Sequence, residues 1–300
     1  MSALLRIERA GPLTTIQDEG REGMLAHGVS ASGPMDRAAY RRAGLLAGAL
    51  GAGGVEFTQA GLDLILKRGQ MRIGWDGGIF TVRVNGEAAP WPGSALLSAG
   101  DRLSVTPGAQ GNYGYLRFGA ALDVKPVLGS VSTNMRAALG GLDGRVLIGG
   151  DELAFSGAGG TPEEVGSHDA GRGPIRFIRG LHWDRFSALV HTRFVTSRFR
   201  ITPAMDRMGV RLADMDAVFG GASILSLISD PVLPGDIQIL GDGTPIVLMR
   251  DHQPTGGYPR IGTIISADLD RFAQLRPGAE LVFEPVSVEH AHRLLRSGQL

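Results

Sequence analysis

The densest chemistry in this sequence lies between Arg250 and Tyr258, RDHQPTGGY, where charged, amide, imidazole and hydroxyl side chains surround the pair Gly256-Gly257. An arginine in such a loop can hold a carboxylate or phosphate. A glutamine offers donor and acceptor together, which suits an amide-like ligand, and a histidine can exchange a proton near neutral pH. Glycines let backbone approach a ligand where a side chain would block it. The apolar runs Ile246–Met249 and Ile261–Ile265 flank the stretch. This predicts a strand, a functional loop and a second strand, although a polar hairpin turn has the same features.

Three other regions carry comparable residues. Gln17, Asp18 and Arg21 gather around Gly20, and Asp36 follows a loop containing Ser30 and Ser32. Ser130, Ser132, Thr133 and Asn134 form a hydroxyl- and amide-rich stretch beside Arg136, and Asp206, Arg207 and Arg211 make a compact charged motif. Asp–Arg pairs of this kind also lock loops by bidentate hydrogen bonds, without any ligand. There is no dinucleotide fingerprint, P-loop, HExxH, GxSxG or kinase signature. The histidines are scattered, and His290 and His292 stand two apart, off a common helical face, so no metal site is expected.

The elements that must position these residues read as mainly β with a few short helices. Glycine makes up 46 of 300 residues, roughly twice the usual ~7%, and punctuates short apolar runs, as tight turns between strands require. Leu62, Leu64 and Leu66 alternate in strand fashion, and Asp76-Gly77-Gly78 and Asn85-Gly86 read as hairpin turns. Helices are expected from a Ser32 or Gly33 cap to near Gly48, over Trp183–Leu189, after Ser266, and from near Ser287. Phe194–Ile201 reads as strand. The aperiodic residues 161–171 predict a flexible connection between a β-rich N-terminal lobe, 1–160, and a β-rich C-terminal lobe, 172–300. Acidic and basic residues balance at 30 each, and no basic run occurs, so neither nucleic acid nor an anionic membrane is an expected partner. Cysteine is absent, and neither a signal-peptide core nor a membrane-spanning run is seen, which predicts a cytoplasmic protein.

Several of these stretches also occur together, in the same order, in a known family. LTTIQDEGREG, GVSASGPMDRAAYRRAGLLAG, GSVSTN, GGLDGRVLIGGDEL, AMDRMGVRLA, GDIQILGDGTPIVLM, DHQPTGGYPR and ADLDRFAQLRPG cover nearly the whole chain. The sequence resembles the family called allophanate hydrolase subunit 2, KipA or the C subunit of 5-oxoprolinase, which is biotin-dependent carboxyltransferase-like. It departs from the family pattern at Glu19, at Pro254 and at Ala204-Met205. The resemblance implies cyclophilin-like β-barrel lobes and assembly with a subunit 1 (KipI)-like partner and a lactamase-type third subunit. It implies ATP-dependent opening of the lactam of 5-oxoproline to glutamate, with ATP belonging to the complex and not necessarily to this chain. Two alternatives are a carboxyltransferase component of a biotin-dependent urea or guanidine carboxylase, and a regulatory protein that sequesters its KipI-like partner. For a small amide substrate, the expected binding residues are Gln17, Arg21, Asp36, Asp206, Arg207, Gln253, Thr255 and Tyr258. Asp18 and Asp251 are the expected proton-handling residues.

Overall fold

Alternation along the strands sets the architecture. In Leu62–Arg68 the side chains of Leu62, Leu64 and Leu66 are buried while Asp63 and Ile65 are less so, the period of a strand with one face on a core. A computed structural model of the chain describes residues 2–49, 51–166, 173–220 and 227–296. The fold is mainly β, with four short α-helices among the described residues. Contacts divide the chain into two compact units, Met1–Met24 with Ala31–His168, and Leu25–Ser30 with Asp169–Leu300. Of the expected connection, residues 167–171 lie outside the described residues; 161–166 contain neither strand nor helix.

The first unit is built on two long antiparallel strands, Gln70–Val84 and Arg102–Phe118. The second of these also pairs with Leu62–Arg68 through its first half and with Gly54–Thr58 through its last, which curls the sheet. Leu5, Ile7, Phe57, Leu66, Ile73, Trp75, Leu103 and Phe118 fill the core. The turn expected at Asp76-Gly77-Gly78 is instead the middle of Gln70–Val84. Gly77 pairs directly with Gly114, and a register shift follows before Ile79. A Cβ on Gly78 would lie 2.7 Å from the Gly111 Cα, so these glycines serve close strand approach. The Asn85-Gly86 turn is where the sequence places it, both residues having positive φ, between Gln70–Val84 and Glu87–Ala89.

A helix over Arg37–Ala47 lies against this sheet. Its N-cap is Asp36, whose carboxylate accepts from Ala39 N, and Gly48 ends it in the left-handed region. The expected cap at Ser32 or Gly33 is displaced because both have positive φ, which the start of a helix does not accommodate.

The second unit is a closed sheet. In spatial order its strands are Glu280–Leu281, Phe199–Met205, Gly209–Asp214, Pro245–Leu248, Asp236–Ile239, Arg260–Ile264, Ile175–Arg179 and Phe283–Pro285. The two ends of that order are consecutive in the chain, separated by Val282, whose carbonyl accepts from Ile175 N, so the sheet closes into a barrel. Phe177, Phe194, Phe199 and Phe283 pack against one another within it. The helix expected over Trp183–Leu189 is broken: Trp183–Arg185 is a single 3-10 turn, and helix resumes at Ala188. The α-helix is Ala188–Thr196, because Ser187 accepts from Val190 N and caps the later start, and the strand expected from Phe194 begins at Phe199. A separate two-stranded ribbon pairs Asp230–Pro231 with Thr255–Gly256.

Gly74 marks the closest approach of helix to sheet. A Cβ there would lie 2.6 Å from Ala47 N and overlap the Ala43 carbonyl oxygen, both of them backbone atoms. Gly74→Ala is therefore expected to destabilise by about 1–3 kcal/mol, against the general gain from replacing a strand glycine. Thermal or denaturant unfolding checks it, and an unchanged or raised midpoint would contradict this account.

Candidate functional site

The residues singled out in the sequence divide between the units. In the first, Gln17 closes the strand Thr15–Gln17, and Asp18 and Arg21 follow it. Asp18 Oδ1 accepts from the hydroxyls of Ser130 at 2.5 Å and Ser132 at 2.6 Å and from Gly20 N at 2.9 Å. Its Oδ2 accepts from Val131 N at 2.7 Å. Burial alone would raise the Asp18 pKa, but these bonds from Ser130, Ser132, Val131 and Gly20 outweigh it and hold the carboxyl below its ordinary value. Arg21 donates from Nε to the Val127 carbonyl at 3.0 Å and from Nη2 to the Ser132 carbonyl at 2.6 Å. Gln17 donates to Thr15 Oγ1 and to the Thr133 carbonyl and accepts from Gly33 N. The result is a buried clamp joining residues 17–21, 31–33 and 127–133. Asp36 is the helix cap described above.

In the second unit, Arg207 and Asp251 form a bidentate pair, Nε to Oδ2 at 2.8 Å and Nη2 to Oδ1 at 3.1 Å. Their side chains are 1% and 5% exposed. Asp251 N also donates to the Arg207 carbonyl at 2.7 Å, so side chain and backbone tie the same two segments. Asp206 accepts from Met208 N and Gly209 N and shapes the turn between Phe199–Met205 and Gly209–Asp214. The aspartates of Met35-Asp36-Arg37 and Met205-Asp206-Arg207 thus both accept from backbone N–H groups.

Beyond Asp251 the loop opens. His252 is buried, and its Nδ1 donates to the Gln253 carbonyl at 2.6 Å, which assigns the tautomer. Burial pushes its pKa down, only partly offset by that bond and by Asp236 and Asp251, leaving the ring neutral at pH 7. Val232 N donates to the Pro254 carbonyl and Leu227 N to the Gly257 carbonyl, extending the ribbon beyond its ladder. Proline fits at 254 because only its carbonyl is used. Thr255 is exposed and Tyr258 is 39% exposed, while Gln253 is half-buried.

The sequence matches the model of one protein family, described as "Carboxyltransferase domain, subdomain A and B", over residues 27–285. The chain belongs to this family. Among curated relatives of this carboxyltransferase domain, the C subunit of 5-oxoprolinase from Escherichia coli is 35% identical over 296 residues, covering 96% of this chain and 93% of that one. The protein of the same name from Haemophilus influenzae is 30% identical, covering 95% and 92%. Among solved structures, the K. lactis urea amidolyase superposes with a TM-score of 0.87 at 26% identity. The carboxyltransferase domain is covered to 98% there and spans 19% of that longer chain.

The geometry gives the carboxylates of Asp18 and Asp251 positional work, the first joined to Ser130, Val131 and Ser132 and the second to Arg207. The Asp18 carboxylate, which accepts four hydrogen bonds, is stabilised as the anion. In the loop the exposed side chains are Thr255 and Tyr258, while Gln253 is half-buried and the neutral His252 is buried. Sequence reasoning kept His252 as a possible acid/base group without placing it among the site residues, and did not place Asp236 or Gln238 there either. The signal available for the last two was strand alternation in DIQI, which puts both on one face.

Two outcomes are expected. Asp18, with its folded pKa lowered, stabilises the fold above its unfolded pKa of about 3.9, and that contribution disappears as pH falls through the folded value. The melting temperature of the wild type should thus fall more steeply below about pH 4 than that of Asp18→Asn, and parallel curves would refute the role. Asp251→Ala leaves Arg207 buried without its carboxylate and should cost about 3–5 kcal/mol in denaturant unfolding, whereas a loss under ~1 kcal/mol would show the pair to be dispensable.

Proposed function

We propose that this chain is a subunit of a multi-subunit, ATP-dependent 5-oxoprolinase that opens the lactam of 5-oxoproline to glutamate. The observation that carries this reading is near end-to-end similarity, at 35% and 30% identity, to the C subunits of two bacterial 5-oxoprolinases, which this chain covers to more than nine-tenths. The assembly also holds a KipI-like subunit 1 and a lactamase-type third protein, and ATP is assigned to the assembly as a whole. The candidate binding surface is the loop Gln253–Tyr258, with Gln253 reading the amide. Arg207 and Asp251 hold that loop in place, and His252 supplies a neutral imidazole beside it. The clamp of Gln17, Asp18 and Arg21 serves the first unit in the same positional way. No helix among the described residues is long and apolar enough to cross a membrane, which is compatible with a cytoplasmic complex.

The family description and the likeness to a urea amidolyase favour a second reading, carboxyl transfer from biotin to urea or a guanidine. The two differ in the companion proteins they need, a lactamase-type subunit for the first, a biotin carboxylase and biotin carrier for the second.

Co-purification with the subunit 1-like neighbour, followed by assay of 5-oxoproline-dependent ATP hydrolysis with the third subunit, tests the first reading. Turnover is expected from the three together and should vanish when this chain is left out. A stable complex that releases no phosphate in the presence of 5-oxoproline would overturn it.

A further inference from the structure

The strand Asp236–Ile239 is buried along its whole length. By alternation Ile237 and Ile239 share one face, and Asp236 and Gln238 share the other. On the polar face Asp236 is fully engaged: it accepts from Leu233 N at 2.9 Å, from Thr263 Oγ1 at 2.6 Å and from Arg260 Nη1 at 3.3 Å. Gln238, two residues along, is 1% exposed, and its Nε2 has no hydrogen-bond partner among the described residues. A buried amide donor left in this state carries a desolvation cost that a leucine of similar size would avoid. Folding alone gives no reason for a carboxamide there.

The neighbour of that amide is the loop already identified as the binding surface. Gly256 lies directly against Gln238, with Val232 alongside, and a methyl at 256 would overlap Nε2. Gly256 does not have positive φ, so backbone conformation does not require glycine at this position. What glycine provides is room for the Gln238 amide against the Thr255–Gly256 strand.

We propose that Gln238 is a specificity-determining residue of the Gln253–Tyr258 site, its Nε2–H donating to the carbonyl oxygen of a small planar amide. The substrate class rests on the 5-oxoprolinase reading; the position of the donor does not. An incoming carbonyl supplies the acceptor that the fold withholds, and an analogue lacking it leaves a buried donor unmet, the arrangement that discriminates most strongly between ligands. Access requires the two-residue strands of the ribbon to part from the barrel face, which breaks no barrel strand.

The test uses the full chain, alone and with its partner subunits, in thermal-shift titrations with 5-oxoproline, 2-pyrrolidinone and urea. Two variants accompany the wild type. Gln238→Leu removes the amide, and Gly256→Ala displaces it, because the atom in the way is the end of a flexible side chain. At least one probe is expected to raise the wild-type midpoint saturably, and both variants should weaken it at least tenfold. The ligand-free midpoint of Gln238→Leu should equal or exceed that of the wild type. Undiminished binding in Gln238→Leu, or no probe bound by the wild type, overturns the proposal. A fall in the ligand-free midpoint with unchanged affinity shows a structural role and overturns it equally. Gln238-dependent binding of 2-pyrrolidinone or urea, without turnover of 5-oxoproline, upholds the residue assignment and removes the 5-oxoprolinase reading.

Discussion

A guanidinium and a carboxylate buried together cannot be separated cheaply, and the second unit is arranged around that constraint. Arg207 stands in a turn between two barrel strands, and Asp251 stands where the strand Pro245–Leu248 gives way to the candidate loop. Each ion lost its water on folding, and the bidentate pairing, together with the backbone bond between the two residues, offsets that loss. Such a pair adds little net stability compared with a well-packed apolar pair. What it adds is exclusiveness: any register that moves Asp251 away from Arg207 breaks a buried bidentate ion pair. The loop from His252 to Tyr258 begins from that fixed point, and its backbone bonds to Val232 and Leu227 continue its defined course.

Much of the scaffold was legible from local chemistry. Alternating leucines, the Asn85-Gly86 turn and the strands either side of the candidate loop follow from steric and hydrophobic rules acting over a few residues. The misread stretches have two different causes. Gly77 and Gly78 looked like a turn because glycine usually signals one, whereas here the demand came from Gly111 and Gly114 on a strand far away in sequence. The start of the helix at Ala188 depends on one hydroxyl, Ser187, chosen over equally plausible caps nearby.

The candidate site was legible as a location and less so as a set of roles. Residue type marks where charge and amide accumulate, but not which partners consume it. The sequence marks Asp18 and Asp251 but not that Ser130 and Ser132 donate to the first and Arg207 to the second. Gln238 is legible as one of several glutamines, with Gln17, Gln253 and Gln274, whose amides suit a neutral ligand, but that its own donor lacks a partner among the described residues has no sequence signature.

The closure of the barrel through Val282 has a consequence for how the chain is made. Ile175–Arg179 pairs in parallel with Phe283–Pro285, across more of the sequence than any other contact in that sheet. As the polypeptide leaves the ribosome, the edge of Ile175–Arg179 must wait for more than a hundred residues to be synthesised before its parallel mate arrives. During that interval Phe177 and its aromatic neighbours have no finished barrel to enter. The nascent chain is thus exposed to misassociation late in its synthesis, and a chaperone that shields apolar strand edges would act most usefully in that window.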